Sequence, residues 1–145
     1  MGVEKIYITW EEVYRLLDII NEQVKSLEDF DRPWYVSGIP RGGTILAVLY
    51  SHRFDLPYLN NPQNRDHNLL ILDDIADSGK TLQEWRERIN LPIYATLHYK
   101  EVSLAEPDFY GAKLEKDCGW IVYPWEREDS KTIQDYKVTN VLGNE

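Results

Sequence analysis

Apolar residues along this chain fall into two rhythms. Val13, Leu16, Leu17, Ile20, Val24 and Leu27 share one face at helical spacing, which predicts an amphipathic helix. Thr9-Trp10-Glu11-Glu12 just ahead of them reads as a capping box that opens this helix. Beyond it the apolar residues gather in short blocks. Strands are predicted over 34–37, 69–73 and 92–99, separated by helices over 43–52 and 80–88. The four aliphatics Leu69-Leu70-Ile71-Leu72 do not alternate with polar residues, so this strand is expected to be buried on both faces. Strands alternating with helices predict an α/β fold, a parallel sheet joined by helical crossovers. Residues 60–68 carry turn chemistry and read as a loop, with a short strand expected around 56–59. No repeat, low-complexity tract or linker interrupts the pattern, and 1–145 reads as one domain, long enough to bury a core.

The chemistry concentrates where the most buried strand ends. Leu69-Leu70-Ile71-Leu72-Asp73-Asp74-Ile75-Ala76-Asp77-Ser78-Gly79-Lys80-Thr81 runs from aliphatic strand to two acids, a small hydroxylic loop and a new helix. A helix N-terminus preceded by Ser78 and Gly79 offers unpaired N–H groups to a phosphate. Two carboxylates beside such a cradle would repel the ligand unless they hold sugar hydroxyls or a metal. Ribose, phosphate and Mg²⁺ together satisfy all three demands. Gly79-Lys80-Thr81 copies the end of a P-loop, but that motif needs glycine at position 74, and Asp74 would repel a polyphosphate. An ordinary strand–turn–helix would need no third acid at Asp77.

From Leu69 to Thr81 the segment resembles, without a gap, the phosphoribosyl pyrophosphate motif of type I phosphoribosyltransferases. The resemblance implies that family's fold, a parallel sheet flanked by helices with a small hood near the C-terminal part. It also implies roles. Asp73 and Asp74 would hold the ribose hydroxyls and Mg²⁺, Asp77 would act as general base or proton partner at N7 of a purine, Ser78, Gly79, Lys80 and Thr81 would hold the 5′-phosphate, and Ala76 would be a further substrate-binding residue.

Trp34-Tyr35-Val36-Ser37-Gly38-Ile39-Pro40-Arg41-Gly42-Gly43-Thr44 repeats the order of strand, glycine-rich loop and helix. A guanidinium beside close backbone N–H groups suits a diphosphate, although Gly-Ile-Pro is also plain turn chemistry. Set before the acidic strand, this loop resembles the family's pyrophosphate loop. Arg41, Gly42 and Gly43 would then bind the pyrophosphate, with a cis peptide expected at Pro40–Arg41.

The stretch 91–100 ends in Lys100, and Gly119-Trp120-Ile121-Val122-Tyr123-Pro124-Trp125-Glu126 follows a polar segment. Both resemble the purine end of the xanthine–guanine branch of the 6-oxopurine enzymes. By that resemblance Lys100 meets O6, Trp120 stacks on the base, Ile121 offers its carbonyl to a 2-substituent, and Glu126 is a further metal-side acid. A lysine donor selects a 6-oxo over a 6-amino group, and an indole face on a base contributes about 1–3 kcal/mol. The plainer reading makes Trp120 and Trp125 core or interface aromatics.

Charge sets the class of partner. With 25 acids against 16 bases the net charge is −9, which argues against nucleic acid or an anionic membrane surface. An anionic substrate must then be held by local donors and Mg²⁺. The single Cys118 excludes an internal disulfide, fits a reducing cytoplasm and reads as a small buried residue. No apolar stretch reaches membrane-spanning length, the first residues lack a signal-peptide core, and Ile6 stands where myristoylation of Gly2 would want a hydroxyl. His52, His67 and His98 lack metal-ligand spacing; the first two are expected at the surface, and His98 lies near Lys100. The polar tail from Arg127 is expected to order in part against a partner subunit of a homo-oligomer, a dimer or tetramer.

Together these resemblances imply transfer of 5-phosphoribose from phosphoribosyl pyrophosphate to guanine, xanthine or hypoxanthine, with release of pyrophosphate, as in purine salvage. One departure stands out. Most catalytic members carry a long mobile loop before the acidic strand, whereas here only residues 53–68, with Pro57 and Pro62, fill that interval. A lid excludes water and completes a site. Its shortening keeps a second class open, a non-catalytic sensor of a nucleotide or phosphoribosyl pyrophosphate. Transfer to another acceptor, such as a pyrimidine, is a third reading that Lys100 and Trp120 disfavour.

Overall fold

The structure is a computed structural model, described here for residues 4–64, 66 and 68–127. The expectations for Gly2, for His67 and for the tail beyond Arg127 lie outside these residues. The elements run β1 (Lys5–Tyr7), α1 (Trp10–Lys25), β2 (Tyr35–Gly38), α2 (Gly42–Phe54), β3 (Leu69–Ala76), α3 (Lys80–Arg88), β4 (Ile93–Lys100), β5 (Phe109–Leu114) and β6 (Trp120–Val122), with a 3₁₀ turn at Asp29–Asp31.

β2, β3, β4 and β5 form one parallel sheet in that order. β1 and β6 pair in parallel as a separate two-stranded hood. The parallel sheet, its helices and the hood are as expected from the chain. The use of an N-terminal strand to build the hood is not. β5 was also missed, because Phe109–Leu114 mixes Gly111 and Lys113 into a half-buried edge strand that shows no clean alternation.

Two apolar cores flank the sheet. On one face Val13, Leu16, Leu17, Ile20 and Val24 of α1 and Leu46, Ala47 and Tyr50 of α2 pack on Val36, Leu70, Leu72, Ala95 and Leu97. On the other face Leu82 of α3 closes over Leu69, Ile71 and Tyr94. Leu69 through Leu72 are fully buried, as their unbroken apolar run requires. Truncating one of them to alanine would cost about 2–5 kcal/mol, enough to unfold a marginal domain.

Local chemistry sets the helix ends. Thr9 caps α1, its hydroxyl accepting the Glu12 N–H at 3.1 Å. Only half of the capping box forms, because the Glu12 carboxylate turns to Arg15 (Nε to Oε2, 3.0 Å). α1 ends at Lys25, so Leu27 lies past the helix and lines a shallow depression with Phe30, Leu91 and Ile93 at the end of the sheet where β4 begins. The strand expected around 56–59 survives as a single bridge from Tyr58 to Val36, supported by Val36 N–H to Pro57 O (2.9 Å) and Leu59 N–H to Val36 O (2.8 Å).

β3 runs beyond its predicted end at 73, and its pleat breaks where it does so. Leu70 and Leu72 face the α1–α2 core, yet Ile75, three residues after Leu72, packs on that same core, and Ala76 packs on the α3 side. The register with β4 steps from Asp73↔Thr96 to Ile75↔His98 and skips Asp74. A period of two cannot carry both Leu72 and Ile75 to one face. The acid pair occupies the break, at the C-terminal edge of a parallel sheet where crevices form.

Candidate active site

The carboxylates of the broken segment bind their own backbone. Asp74 N–H donates to Asp73 Oδ1 at 2.9 Å, and Ile75 N–H donates to Asp74 Oδ1 at 2.7 Å. Asp73 is 7% exposed and Asp74 half-buried. The β2–α2 loop presses onto them from the side. A Cβ on Gly42 would strike the Asp74 carboxylate, and one on Gly43 would strike the Leu72 carbonyl. Gly43, packed on backbone, therefore demands glycine, whereas a side chain at position 42 would displace the Asp74 carboxylate. Pro40–Arg41 is a cis peptide, as the family resemblance implies, and the Arg41 side chain is exposed beside the crevice.

On the far side of the acids, Ser78 Oγ accepts the Lys80 N–H at 3.3 Å, and α3 opens at Lys80 with Gly79 at φ +84°. Only glycine adopts that φ without strain. Space demands glycine as well, because a Cβ there would lie 2.6 Å from the amide nitrogens of Leu104 and Ala105. The loop after β4 thus buttresses the phosphate loop, with Leu104 N–H donating to Ser78 O at 2.7 Å and Ser103 N–H to Lys100 O at 2.9 Å. Sequence reasoning missed Ser103 and Leu104; their only signal is the step out of strand chemistry just after Lys100.

Lys100 and Asp77 meet. Lys100 Nζ lies 3.1 Å from Asp77 Oδ1, with the lysine side chain 17% and the aspartate 49% exposed. The end of β4 is thereby tied to the acidic loop, and the donor expected at O6 sits on the acid expected at N7.

Trp120 and Ile121 lie on the hood. Trp120 is 37% exposed, so it is not a core aromatic. Trp125 is: it stacks on Tyr123 with ring centroids 5.0 Å apart and tilts against Trp10. Trp120 N–H bonds to Glu4 O and Val122 O accepts the Ile8 N–H, so both residues turn their amides toward β1. Successive residues of a strand direct these groups to opposite edges. The Ile121 carbonyl therefore points to the other edge of β6, which no described strand covers. Glu126 Oε1 accepts the Tyr123 N–H at 2.8 Å and closes the turn after β6. Among the described residues no group of three or more His, Cys, Asp or Glu is placed to hold a metal. Asp73 and Asp74 remain as two adjacent hard oxygen donors, the ligand type Mg²⁺ takes while keeping several waters.

Two further groups escaped the sequence reading. Tyr123 is buried, and its hydroxyl lies 3.0 Å from the Asp74 carbonyl and 2.8 Å from His98 Nδ1. Burial pushes the His98 imidazole down to about 4, the Glu12 carboxylate only partly opposing it. Burial, reinforced by the negative charge of Asp74, raises the Tyr123 phenol well above its ordinary value. A tyrosine in an apolar run needs a partner for its hydroxyl, and that was the available signal. Cys118 is half-buried and His52 exposed.

No family model matches the chain. The xanthine-guanine phosphoribosyltransferase of Cereibacter sphaeroides is 25% identical over 144 residues, which span 83% of this chain and 86% of that protein. The purine phosphoribosyltransferase of Pyrococcus horikoshii superposes with a TM-score of 0.70 at 28% identity, covering 90% of this chain and 98% of that one. In sequence and in fold the chain is similar to type I purine phosphoribosyltransferases. A protein from Neisseria gonorrhoeae solved with bound ppGpp shares the fold at a TM-score of 0.67 and 18% identity, over 89% of this chain and 93% of that one. Among the described residues no helix is long and apolar enough to cross a membrane.

Proposed function

We propose that this protein is a type I phosphoribosyltransferase that moves 5-phosphoribose from phosphoribosyl pyrophosphate to a 6-oxopurine (guanine, xanthine or hypoxanthine) and releases pyrophosphate. The observation that carries the purine assignment is the Lys100–Asp77 pair, which puts a cationic donor and a carboxylate side by side next to the phosphate loop.

In this reading the 5′-phosphate takes the N–H groups at the start of α3 and the hydroxyls of Ser78 and Thr81. Asp73 and Asp74 receive the ribose hydroxyls, Arg41 with Gly42 and Gly43 the diphosphate. The purine inserts between Trp120 and the Lys100–Asp77 pair. Its O6 draws Lys100 away, which leaves the Asp77 carboxylate to hold or accept the N7 proton. The departing bond leaves an oxocarbenium-like ribose, so the protein acts by positioning and by placing carboxylates near developing positive charge. Mg²⁺, held through Asp73 and Asp74, would neutralise the leaving diphosphate. Cytoplasmic location, a single domain over 1–145 and homo-oligomeric assembly belong to the same reading. The sheet shared by both cores supports the single domain, and the net charge of −9 supports small-molecule over nucleic-acid partners.

The test is pyrophosphate release with Mg²⁺ and a panel of guanine, xanthine, hypoxanthine, adenine, uracil and orotate. Turnover with at least one 6-oxopurine and none with the other bases is expected. Turnover with adenine or a pyrimidine alone removes the Lys100 assignment. Binding of phosphoribosyl pyrophosphate without turnover of any base would make the protein a sensor, the role that the short 53–68 connection would suit.

A further inference from the structure

Tyr123 and His98 do nothing in the transfer as described, yet they form a buried polar pair in an otherwise apolar core, directly behind the acid pair. The phenol has one hydrogen. Its oxygen lies 3.0 Å from the Asp74 carbonyl, which can only accept, so the hydrogen goes there. The phenol oxygen must then accept from His98 Nδ1 at 2.8 Å, which assigns the proton of the neutral ring to Nδ1 and leaves Nε2 bare. The strand register skips Asp74, and this hydroxyl meets the main chain at the skipped residue. Tyr123 also follows β6 directly, the strand that carries Trp120 and Ile121, and Glu126 holds its N–H. One side chain thus pins the hood to the carbonyl of a ribose-side acid.

We infer that Tyr123, held in place by His98, is a positioning residue that fixes the Asp74 backbone so that its carboxylate stays seated on Gly42 and ready for the ribose. This rests on the transferase reading above. A hydroxyl with one hydrogen and two fixed partners cannot rotate, so the peptide at the pleat break keeps one orientation. Without it the Asp74 carbonyl and the His98 N–H both lose a partner, and the acid can leave its seat before phosphoribosyl pyrophosphate arrives.

Tyr123→Phe keeps the ring and its stack on Trp125 while removing the link. In the full chain, calorimetry with Mg²⁺ and phosphoribosyl pyrophosphate should show Kd raised about tenfold, the scale of one lost hydrogen bond. The Kd for guanine alone, read by quenching of tryptophan emission, should stay within about twofold. A purely structural role would lower Tm and spare this contrast. His98→Gln retains an N–H donor and should bind phosphoribosyl pyrophosphate within about threefold of wild type, whereas His98→Phe should match Tyr123→Phe. If Tyr123→Phe does not fold, the two His98 variants decide. An unchanged phosphoribosyl pyrophosphate Kd in Tyr123→Phe, or equal affinities for His98→Gln and His98→Phe, overturns the positioning role alone. Wild type that binds no phosphoribosyl pyrophosphate overturns the functional reading, and this inference with it.

Discussion

At the end of β3 the groups that would hold phosphoribose follow one another in sequence, and each is fixed by backbone: amides bonded to the Asp73 and Asp74 carboxylates, Gly42 beneath Asp74, and the 103–105 loop against Gly79. The groups that would meet the purine come instead from β4, the acidic loop and the hood, and are side chains held by one another, Lys100 directly on Asp77. The first half is built before its ligand arrives. The second must exchange an internal ion pair for the base. Mutations in the first should therefore abolish binding, and those in the second should alter which base is accepted.

The largest effect is expected from Asp73→Asn with Asp74→Asn. Each neutralised carboxylate loses a charged hydrogen-bond partner on the ribose side, at about 1.5–3 kcal/mol apiece. Together they amount to roughly a hundredfold to ten-thousandfold in kcat/KM for phosphoribosyl pyrophosphate. Stability should move the other way. Two adjacent carboxylates repel in the empty site, so Tm should hold or rise, the trade-off common at functional sites. Loss of Tm with affinity intact would make the acids structural and erase the contrast between the halves.

The same contrast governs what could be read from sequence. The run from Leu69 to Thr81 announces its chemistry because strand, acids and helix start are contiguous and each follows local rules. Arg41 and its glycines are nearly as plain. Lys100 and Trp120 stand out in the sequence only by resemblance, and the Lys100–Asp77 pair depends on how β4 registers against β3. The hood partner β1 was invisible, since Lys5–Tyr7 is three residues of half-exposed strand with no partner nearby in sequence. Glu126 resembles a metal-side acid in sequence, and its Oε1 also accepts the turn amide of Tyr123, a contact that only the three-dimensional course of the chain decides.

Acid should loosen the joint between the halves. His98 lies between Tyr123 and the first turn of α1, where Glu12 raises its basicity and Arg15, with the dominant burial, lowers it. Its pKa falls from 6.5 to about 4 on folding. The unfolded chain then binds the extra proton between these values, so this contribution to stability is whole above pH 6.5, declines as pH falls and is exhausted near pH 4. The loss is roughly 3 kcal/mol at most. Urea midpoints at pH 7 and pH 4.5 measure it, with His98→Gln as the reference. If both proteins lose stability equally, His98 is not the group that titrates.

The smallest expected effects concern base choice, and there the two purine-side residues should differ in kind. Lys100→Ala removes the donor assigned to O6 and leaves a buried acceptor unpaired, at about 1–3 kcal/mol, or roughly tenfold to a hundredfold in kcat/KM. It also takes the ion-pair partner from Asp77, so discrimination against adenine should relax while the 6-oxopurines suffer. Trp120→Ala loses stacking of similar size, about 1–3 kcal/mol, but an indole face does not read exocyclic groups. Every purine should lose alike. Because Trp120 is partly exposed and outside both cores, its removal should leave Tm nearly unchanged, which separates lost stacking from lost packing. Measuring kcat/KM for guanine, hypoxanthine and adenine with each variant gives two ratios that must diverge. Equal, unselective losses from both would mean that the Lys100–Asp77 pair only braces the loop, and that the base is read elsewhere.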